Sequence, residues 1–350
     1  MHFLDWVLSK SFKFEPSSLR LMKKFLIFLV IFLVIYLVGT KPKTPKYAAN
    51  LPNLPTTATA LETYVEVQEQ RHKIKPDNGA EIVWNDPSTK QKTPVAVLYL
   101  HGFSASKREG YPTHRRFAEK YGCNLYLARL SDHGIDSTDA LYAFTAERVW
   151  RSAKEAFAIA KNLGDSVVIM STSTGGTLAL KLAATYPEIK GLINFSPNIA
   201  INDPTAFMLN DPWGLPIAKA VFGGDFRTVP SDETYRKYWY DNYRLEALPE
   251  LEELVESICK PSTYKKITCP VFNGYYYRDA ENQDPVVKVS AILEMHDKLA
   301  TPEYLKVAVA FPTADTHVIA GDFKSGALPE IFEAVDAFAE KQMGMTSVNR

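Results

Sequence analysis

The 350-residue sequence has few cysteines and no excess of charge of either sign. Its three cysteines, Cys123, Cys259 and Cys269, are odd in number and widely spaced, which indicates neither a disulfide framework nor a zinc site. A bridge between Cys259 and Cys269 would require an oxidising compartment. Lysine plus arginine equals aspartate plus glutamate at 40 each, so no basic field favours nucleic-acid binding. We therefore expect no metal, no cofactor and no nucleic-acid partner.

One apolar run near the N-terminus departs from this ordinary composition. Residues 25–39, FLIFLVIFLVIYLVG, carry no charge and lie between Lys23, Lys24 and Lys41. A helix of this length spans about 22 Å, less than the ~30 Å hydrocarbon core, but snorkelling lysines and local thinning of the bilayer extend its reach. No polar residue recurs at the 3.6-residue period of a soluble core helix. We therefore expect a membrane-spanning segment.

Two membrane interpretations of this segment remain, a cleaved signal peptide and an uncleaved anchor. The following residues, GTKPKTPKYAAN, contain lysines and lack a small-x-small cleavage site, which favours an uncleaved single-pass anchor within residues 1–40. The positive-inside rule weakly favours a cytoplasmic N-terminus, which would leave the rest of the chain on the extracytoplasmic side. Met22, directly before the two lysines, is a candidate start of the natural chain.

The rest of the chain predicts a linker followed by one α/β domain. Residues 41–60 are rich in proline, lysine and threonine, as in a tether, and residues 61–345 alternate short apolar runs with helical patterns. This alternation predicts a mostly parallel sheet covered by helices on both faces. Residues 197–270 break the rhythm and are rich in aromatic side chains, which predicts an inserted segment. The predicted strands are 64–68, 80–84, 95–100, 124–130, 166–170, 191–195, 271–276 and 304–310, and the predicted helices are 147–162, 176–185, 286–298 and 329–341.

The segment STSTGG, which follows an apolar strand, has the composition of a sharp strand-to-helix turn that presents a nucleophile. In such a turn the positions two before and two after the nucleophile must be small. Around Ser173 these positions are Ser171 and Gly175, whereas around Ser171 one of them is Ile169, which would clash. Thr174 is β-branched and therefore sterically less suited. The steric pattern predicts Ser173 as the nucleophile.

A serine nucleophile needs a base that takes its proton. Of the seven histidines, His317 follows the predicted strand 304–310, where a loop can bring its imidazole towards Ser173. His101, directly after another strand, is better placed to shape a loop than to act as a base. His296 lies in a helical pattern and is predicted to be a solvated surface residue.

The base in turn needs an acid that fixes its tautomer and stabilises the imidazolium. The segment RDAENQDPVV after the predicted strand 271–276 offers Asp279, Glu281 and Asp284. We favour Asp284, with Asp279 as the main alternative. A helix N-cap followed by a proline would also explain an aspartate at position 284.

The developing oxyanion needs two preorganised N–H donors, each contributing about 3 kcal/mol to the transition state. The residue after the nucleophile, Thr174, supplies one N–H in this type of turn. The loop HGF after the strand 95–100 supplies the other, since Gly102 lets the backbone approach and Phe103 carries the N–H.

The segments YLHGF, STSTGG, NQDPVV and ADTH together resemble the motifs of the α/β-hydrolase superfamily, in its serine esterase and lipase branch. The order Ser173, Asp284, His317 is similar to the nucleophile, acid and base order of that family. LARLSDHGID resembles a loop of monoglyceride lipases and lysophospholipases. The resemblance covers residues 80–341, and the aromatic insertion stands where the family has its lid. Ser171 departs from the first glycine of the family's elbow.

The resemblance implies a serine hydrolase that cleaves carboxylic esters through an acyl-enzyme. A membrane tether and an aromatic lid would favour lipid-like esters such as monoacylglycerols or lysophospholipids. The same three residues would serve an amidase, a thioesterase or an acyltransferase, and the sequence does not separate these. A non-catalytic binding protein with this fold is the alternative of a different class, and the presence of all three triad residues argues against it.

Overall fold

The computed structural model of the chain describes residues 16–348, and its centre is a seven-stranded sheet. The strand order is β1-β3-β2-β4-β5-β8-β9, in which β1 runs antiparallel to β3 and all other neighbours are parallel. The mostly parallel sheet predicted from the sequence is therefore confirmed. The strands are β1 Glu81–Val83, β2 Thr93–Leu100, β3 Asn124–Leu127, β4 Gly164–Thr172, β5 Gly191–Phe195, β8 Val271–Tyr275 and β9 Lys306–Ala310, with a separate hairpin of β6 Phe226–Thr228 and β7 Asn242–Arg244.

Helices cover both faces of the sheet, because the central strands are apolar on both sides. Along β2, Leu98 and Leu100 face one hydrophobic core while Val97 and Tyr99 face the other. The described helices are α1 Pro16–Leu37, α2 Ala58–Gln70, α3 Thr113–Lys120, α4 Ala146–Leu163, α5 Thr174–Ala183, α6 Gly214–Phe222, α7 Glu233–Tyr238, α8 Ala247–Ile258, α9 Pro261–Tyr264, α10 Val289–Lys298 and α11 Leu328–Lys341. Helices α3 and α11 pack on one face, and α4, α5, α8 and α10 on the other.

The aromatic insertion at residues 197–270 folds as a small unit of helices and one hairpin. It contains α6, α7, α8, α9 and the β6–β7 hairpin, so that it has secondary structure of its own as the sequence predicts. The helix α8 buries Leu251, Leu254 and Val255 in the same core as the sheet. The insertion therefore packs against the main domain through α8.

The predicted strand at residues 64–68 is wrong, because this segment lies in α2. The alternation of TYVEV over five residues is also compatible with a helix in which apolar residues recur four positions apart. Leu61 and Val65, which have this spacing, are the buried residues of α2. Burial of this apolar helical face therefore makes the segment a helix and not a strand.

The predicted tether at residues 41–60 lies against the domain instead of holding it at a distance. Tyr47 packs edge-on against Trp150 with ring centroids 5.8 Å apart, and its hydroxyl bonds Ser257 Oγ at 2.6 Å. The Trp150 indole N–H donates to the Ala48 carbonyl at 3.1 Å, and the Lys154 ammonium donates to the Asn50 carbonyl at 2.8 Å. The segment therefore connects α4 with α8 of the insertion.

The predicted membrane anchor is wrong. Among residues 16–348 the structure contains no helix that combines the length and the apolar character needed to cross a bilayer. Arg20, Lys23 and Lys24 lie in the first half of α1, so its uncharged part, residues 25–37, is about 20 Å long against a hydrocarbon core of ~30 Å. The predicted extracytoplasmic location of the domain depended on this anchor, so it is wrong for the same reason. Residues 1–15 of the predicted N-terminal tail lie outside the described residues.

Candidate active site

Ser173 occupies the turn between β4 and α5 in a strained backbone conformation. Its φ is 52° and its ψ is −118°, a region that residues with a Cβ atom rarely adopt. The turn is fixed by its backbone, since Ser173 N–H donates to the Phe195 carbonyl at 3.1 Å. The Ser173 carbonyl accepts from the N–H groups of Gly176 at 2.8 Å and Asn198 at 2.9 Å. Such strain persists only where the surroundings determine it fully, and it is concentrated at functional sites.

The glycines after Ser173 leave no space for a side chain. A Cβ on Gly175 would lie 2.1 Å from the Leu100 carbonyl oxygen, and one on Gly176 would lie 2.6 Å from Pro197 Cβ. Ser171 is fully buried, and its hydroxyl donates to Asn194 Oδ1 at 2.8 Å. The structure thus agrees that the flanking positions are small, but Gly175 faces the backbone of β2 instead of Ser171.

Asp284 and His317 form a buried hydrogen-bonded pair beyond the ends of β8 and β9. His317 Nδ1 lies 2.8 Å from Asp284 Oδ2 and 3.0 Å from Oδ1. Asp284 Oδ1 also accepts from the N–H groups of Val286 at 2.9 Å and Val287 at 3.0 Å. The side chain of Asp284 is fully buried and that of His317 is 12% exposed. This arrangement places the proton of the neutral imidazole on Nδ1 and leaves Nε2 as an acceptor.

The environment of this pair favours the charged form of both groups. Burial alone would raise the pKa of Asp284, but His317 and the two backbone N–H groups hold this pKa below its usual value. Burial alone would lower the pKa of His317, but the charges of Asp284 and Glu109 raise it above its usual value. The site can therefore accommodate an imidazolium.

The alternative acids of the sequence lie away from the imidazole. Asp279 is exposed, and its carboxylate accepts from the N–H groups of Glu281 and Asn282 at 2.9 and 2.8 Å, which stabilises a turn. Glu281 is exposed in the same turn. Of the three carboxylates considered, Asp284 is the one that contacts His317.

The other two histidines considered in the sequence have structural contacts. His101 is buried, its Nδ1 lies 2.8 Å from the Gly102 carbonyl, and its Nε2 accepts from Leu130 N–H at 3.1 Å, so it shapes the loop as predicted. The prediction that His296 is a solvated surface residue is wrong. It is 8% exposed and bonds Asn273 at 3.1 Å, since its helix packs on β8.

The loop after β2 brings its backbone next to the nucleophile. The position that a Cβ on Gly102 would occupy lies 3.0 Å from Ser173 Cβ, so a side chain there would crowd the nucleophile. Within the described part of the chain, neither the Phe103 N–H nor the Thr174 N–H donates to another protein group. The two N–H groups predicted to form the oxyanion hole are therefore not bonded to the protein in its described part.

Of the two hydrogen bonds expected within the predicted triad, the described structure contains the one between Asp284 and His317. Within the described residues the Ser173 hydroxyl is not hydrogen-bonded to His317. Hydrogen bonds of this kind often form only in the substrate complex. All three residues nevertheless follow strands whose carboxyl ends lie at one edge of the sheet.

Glu109 is a residue near Ser173 that the sequence analysis missed. It is 2% exposed, and its Oε2 accepts from Gly102 N–H at 2.6 Å. Burial raises the pKa of the Glu109 carboxyl to about 7, against the opposing effects of the Gly102 N–H and His317. No motif distinguishes it from the other acidic residues of the sequence.

Aromatic side chains of the insertion cover the loop after β2. The Phe103 ring packs edge-on against Phe144 and Tyr243, with ring centroids 5.3 Å apart in each pair. Tyr240 N–H donates to the Ser104 carbonyl at 2.9 Å. Other aromatic residues of the insertion, such as Phe207, point to solvent. The part of the insertion around residues 240–243 therefore packs against this loop.

Neither disulfides nor metal clusters are found in the described residues. Cys123, Cys259 and Cys269 are free thiols, so the bridge considered between Cys259 and Cys269 is not formed. Within residues 16–348 no group of three or more histidine, cysteine or carboxylate side chains could hold a metal ion.

The sequence and fold are similar to those of known lipolytic enzymes. No family model matches the sequence. A thermostable monoacylglycerol lipase from Bacillus sp. (strain H-257) is 31% identical over 120 residues, which are 34% of this chain and 46% of that protein. The similarity thus spans less than half of the length of this curated relative.

Solved structures match a larger part of the chain. One, described under the metagenome-derived lipolytic enzymes LipS and LipT, has a TM-score of 0.59 at 18% identity and covers 77% of this chain and 99% of its own. A monoacylglycerol lipase from Paleococcus ferrophilus has a TM-score of 0.54 at 16% identity, covering 73% and 95%. The chain therefore has the fold of these lipolytic enzymes, and the fold and the sequence similarity support the resemblance to α/β-hydrolases first seen in the motifs.

Proposed function

We propose that the protein is a serine hydrolase that cleaves carboxylic esters, with Ser173 as nucleophile, His317 as base and Asp284 as its acid. The observation that carries this proposal is the buried Asp284–His317 pair, which lies at the same edge of the sheet as the strained Ser173. A buried carboxylate that fixes the tautomer of an imidazole is the arrangement a serine nucleophile requires. The similarity to lipolytic enzymes supports the same reaction class.

The first half of the reaction transfers the acyl group to the serine. Asp284 holds the proton on His317 Nδ1, so Nε2 takes the proton of the Ser173 hydroxyl as Oγ bonds to the ester carbonyl carbon. The N–H groups of Phe103 and Thr174 donate to the oxyanion of the tetrahedral intermediate. When the intermediate collapses, the bond from carbon to the alkoxy oxygen breaks. The imidazolium then gives its proton to the departing alcohol.

The second half returns the enzyme to its starting state. A water molecule gives one proton to His317 Nε2 as its oxygen attacks the acyl carbon. Collapse of this second intermediate breaks the bond to Ser173 Oγ, which takes the proton back from His317 and releases the carboxylic acid. Asp284 remains ionised throughout and stabilises the imidazolium, as its lowered pKa requires.

We propose lipid-like esters, such as monoacylglycerols or lysophospholipids, as the substrate class. The rings of Phe103, Phe144 and Tyr243 pack together next to the predicted oxyanion donor, and such apolar surroundings suit an acyl chain better than a charged group. The relatives named as monoacylglycerol lipases support this choice. An amidase, a thioesterase or an acyltransferase would use the same residues, so the leaving group has to be tested directly.

Labelling with a fluorophosphonate tests the nucleophile. The wild-type protein should form one covalent adduct, the S173A variant should form none, and the S171A variant should still be labelled because Ser171 lies beneath the elbow. Circular dichroism should show that all three proteins are folded. A folded wild-type protein without an adduct at Ser173 would contradict the proposal, as would labelling that persists in S173A.

A series of p-nitrophenyl esters tests the substrate class. We expect kcat/KM to rise from acetate to octanoate, because each methylene buried in an apolar site contributes about 0.8 kcal/mol. A preference for acetate would contradict lipid-like substrates while leaving ester hydrolysis intact. The corresponding thioester and anilide, measured beside the octanoate ester, would reveal a different leaving-group preference.

A further inference from the structure

Glu109 lies where three segments of the proposed active site meet. Its carboxylate accepts the Gly102 N–H at 2.6 Å, and the carboxylate oxygens and Ser173 Cβ all lie within 3.1 Å of the position that a Cβ on Gly102 would occupy. The residue is 2% exposed, so its carboxyl interacts with protein groups and not with bulk solvent. A buried carboxylate beside a nucleophile is costly and calls for a functional explanation.

The first of these segments is the loop that carries the predicted oxyanion donor. Gly102 immediately precedes Phe103, so the hydrogen bond to Glu109 fixes the peptide unit next to the Phe103 N–H. On its other side, the Gly102 carbonyl lies 2.8 Å from His101 Nδ1. The backbone of the loop is therefore held at both the N–H and the carbonyl of Gly102.

The second segment is the insertion. Trp239 lies beside the Glu109 carboxyl and lowers the pKa that burial raises. Trp239 stacks on Tyr235, with ring centroids 5.2 Å apart and planes 16° apart. Next to it, Tyr240 N–H donates to the Ser104 carbonyl at 2.9 Å. The insertion thus contacts the oxyanion loop through its backbone and places Trp239 beside Glu109.

The third segment is the loop that carries His317. The position of a Cβ on Gly321 would lie 2.5 Å from the Glu109 carbonyl oxygen, so the two backbones are in close contact. Arg108 pairs with Asp322 through two hydrogen bonds of 2.7 and 3.2 Å. The charge of Glu109 also acts on the His317 imidazole. The same residue therefore couples the base loop to the oxyanion loop.

We infer that Glu109 is a positioning residue for ester hydrolysis, which aligns the Phe103 N–H through Gly102 and joins this donor to the insertion and to the His317 loop. The inference rests on the proposed function, since it assigns Glu109 a role in that reaction. The titratable groups that face the carboxyl are His317 from the base loop, Tyr99 from β2 and Tyr235 from the insertion. Of these, His317 is the one that the proposed reaction uses as a base.

The variants E109A and E109Q separate the hydrogen bond from the charge. E109A removes the acceptor of the Gly102 N–H, and we expect kcat for a p-nitrophenyl ester to fall about tenfold with little change in KM, since loss of a direct donor costs about 10²- to 10³-fold. E109Q keeps an acceptor oxygen but carries no charge, so its kcat should fall less than that of E109A.

The pH profile distinguishes positioning in the site from a general effect on folding. Glu109 has a pKa of about 7, and where it is ionised its charge raises the pKa of His317. The upper part of the acid limb of kcat/KM in E109Q should therefore lie at lower pH than in the wild type. The matched control is E252Q. Glu252 is also buried, with a pKa raised to about 7 by burial, but it lies on α8 among groups that the proposed reaction does not use. E252Q should keep the wild-type kcat and acid limb.

Each outcome decides the inference. Wild-type kcat and an unchanged acid limb in E109Q, with the wild type itself active and labelled by fluorophosphonate, would overturn the role of Glu109 and leave the proposed function standing. A wild-type protein that is folded but neither active nor labelled would overturn both. If E109A does not fold, E109Q and W239F decide the inference. W239F removes the indole beside Glu109 and should lower kcat with little change in KM.

Discussion

Replacing Asp284 by asparagine tests the candidate site most directly. Asp284 is fully buried and accepts from Val286 N–H, Val287 N–H and His317 Nδ1, so it has no freedom to reorient. The carbonyl oxygen of the introduced asparagine could keep the two backbone hydrogen bonds, which would direct its NH₂ group towards His317 Nδ1. The imidazole would then carry its proton on Nε2, and Ser173 would lose its base. For the same substitution in the well-studied serine protease triad, kcat falls by about 10⁴.

We therefore expect D284N to lower kcat for a p-nitrophenyl ester by about 10⁴, which corresponds to about 5 kcal/mol in the activation free energy. The fold should be kept, because the volume of the side chain and its backbone hydrogen bonds are unchanged. Steady-state kinetics, the rate of fluorophosphonate labelling and a thermal melt would measure these effects. The matched control is D279N, which changes the exposed aspartate of the same segment and should keep the wild-type kcat. Wild-type activity in D284N, or an equal loss in D279N, would refute the assignment.

Three further predictions concern pH and packing. Because Asp284 and Glu109 raise the pKa of His317 and the base must be neutral, kcat/KM should rise with pH through a midpoint above the usual value of about 6.5; a midpoint at or below this value would contradict the electrostatic reasoning. G175A should lower the free energy of unfolding by about 3 kcal/mol, because the new Cβ would lie 2.1 Å from the Leu100 carbonyl oxygen. In the control G224A the new Cβ would have no atom within 4 Å, so a thermal melt should show nearly unchanged stability. Burial raises the pKa of Glu252 to about 7, so the wild-type protein loses stability as pH rises from about 4 to 7. E252Q, which cannot ionise, should be more stable than the wild type by about 3 kcal/mol near pH 8. The same pH dependence of unfolding in both proteins would exclude this.

The parts of the fold that could be predicted from the sequence are those determined by local pattern. The apolar runs of β2 and β4 are buried on both faces, so their composition alone indicates central parallel strands. Ser173 could be singled out because the elbow permits only small neighbours, and the close contacts of Gly175 and Gly176 agree with that requirement. Asp284 and Asp279 could be ranked, but only the structure shows which carboxylate contacts His317.

What could not be predicted depends on contacts between distant residues. The segment 64–68 alternates like a strand, and only the packing of Leu61 and Val65 against the domain makes it helical. Glu109 acquires its surroundings from Gly102, Trp239 and the His317 loop, which are distant in the sequence or belong to no pattern that includes it. His296 is buried because α10 packs on β8, a contact that helical periodicity does not reveal.

The positive φ of Ser173 has a consequence for the choice of an inactive variant. A non-glycine residue in such a conformation costs of order 1–3 kcal/mol, and this cost is set by the Cβ atom and not by the hydroxyl. S173A therefore keeps the strained elbow and should preserve the shape of the site for trapping a substrate. S173G would let the backbone relax, so the loop around residues 172–176 could settle into a different shape. Both substitutions remove the nucleophile, but only alanine is expected to keep the backbone conformation of the active site.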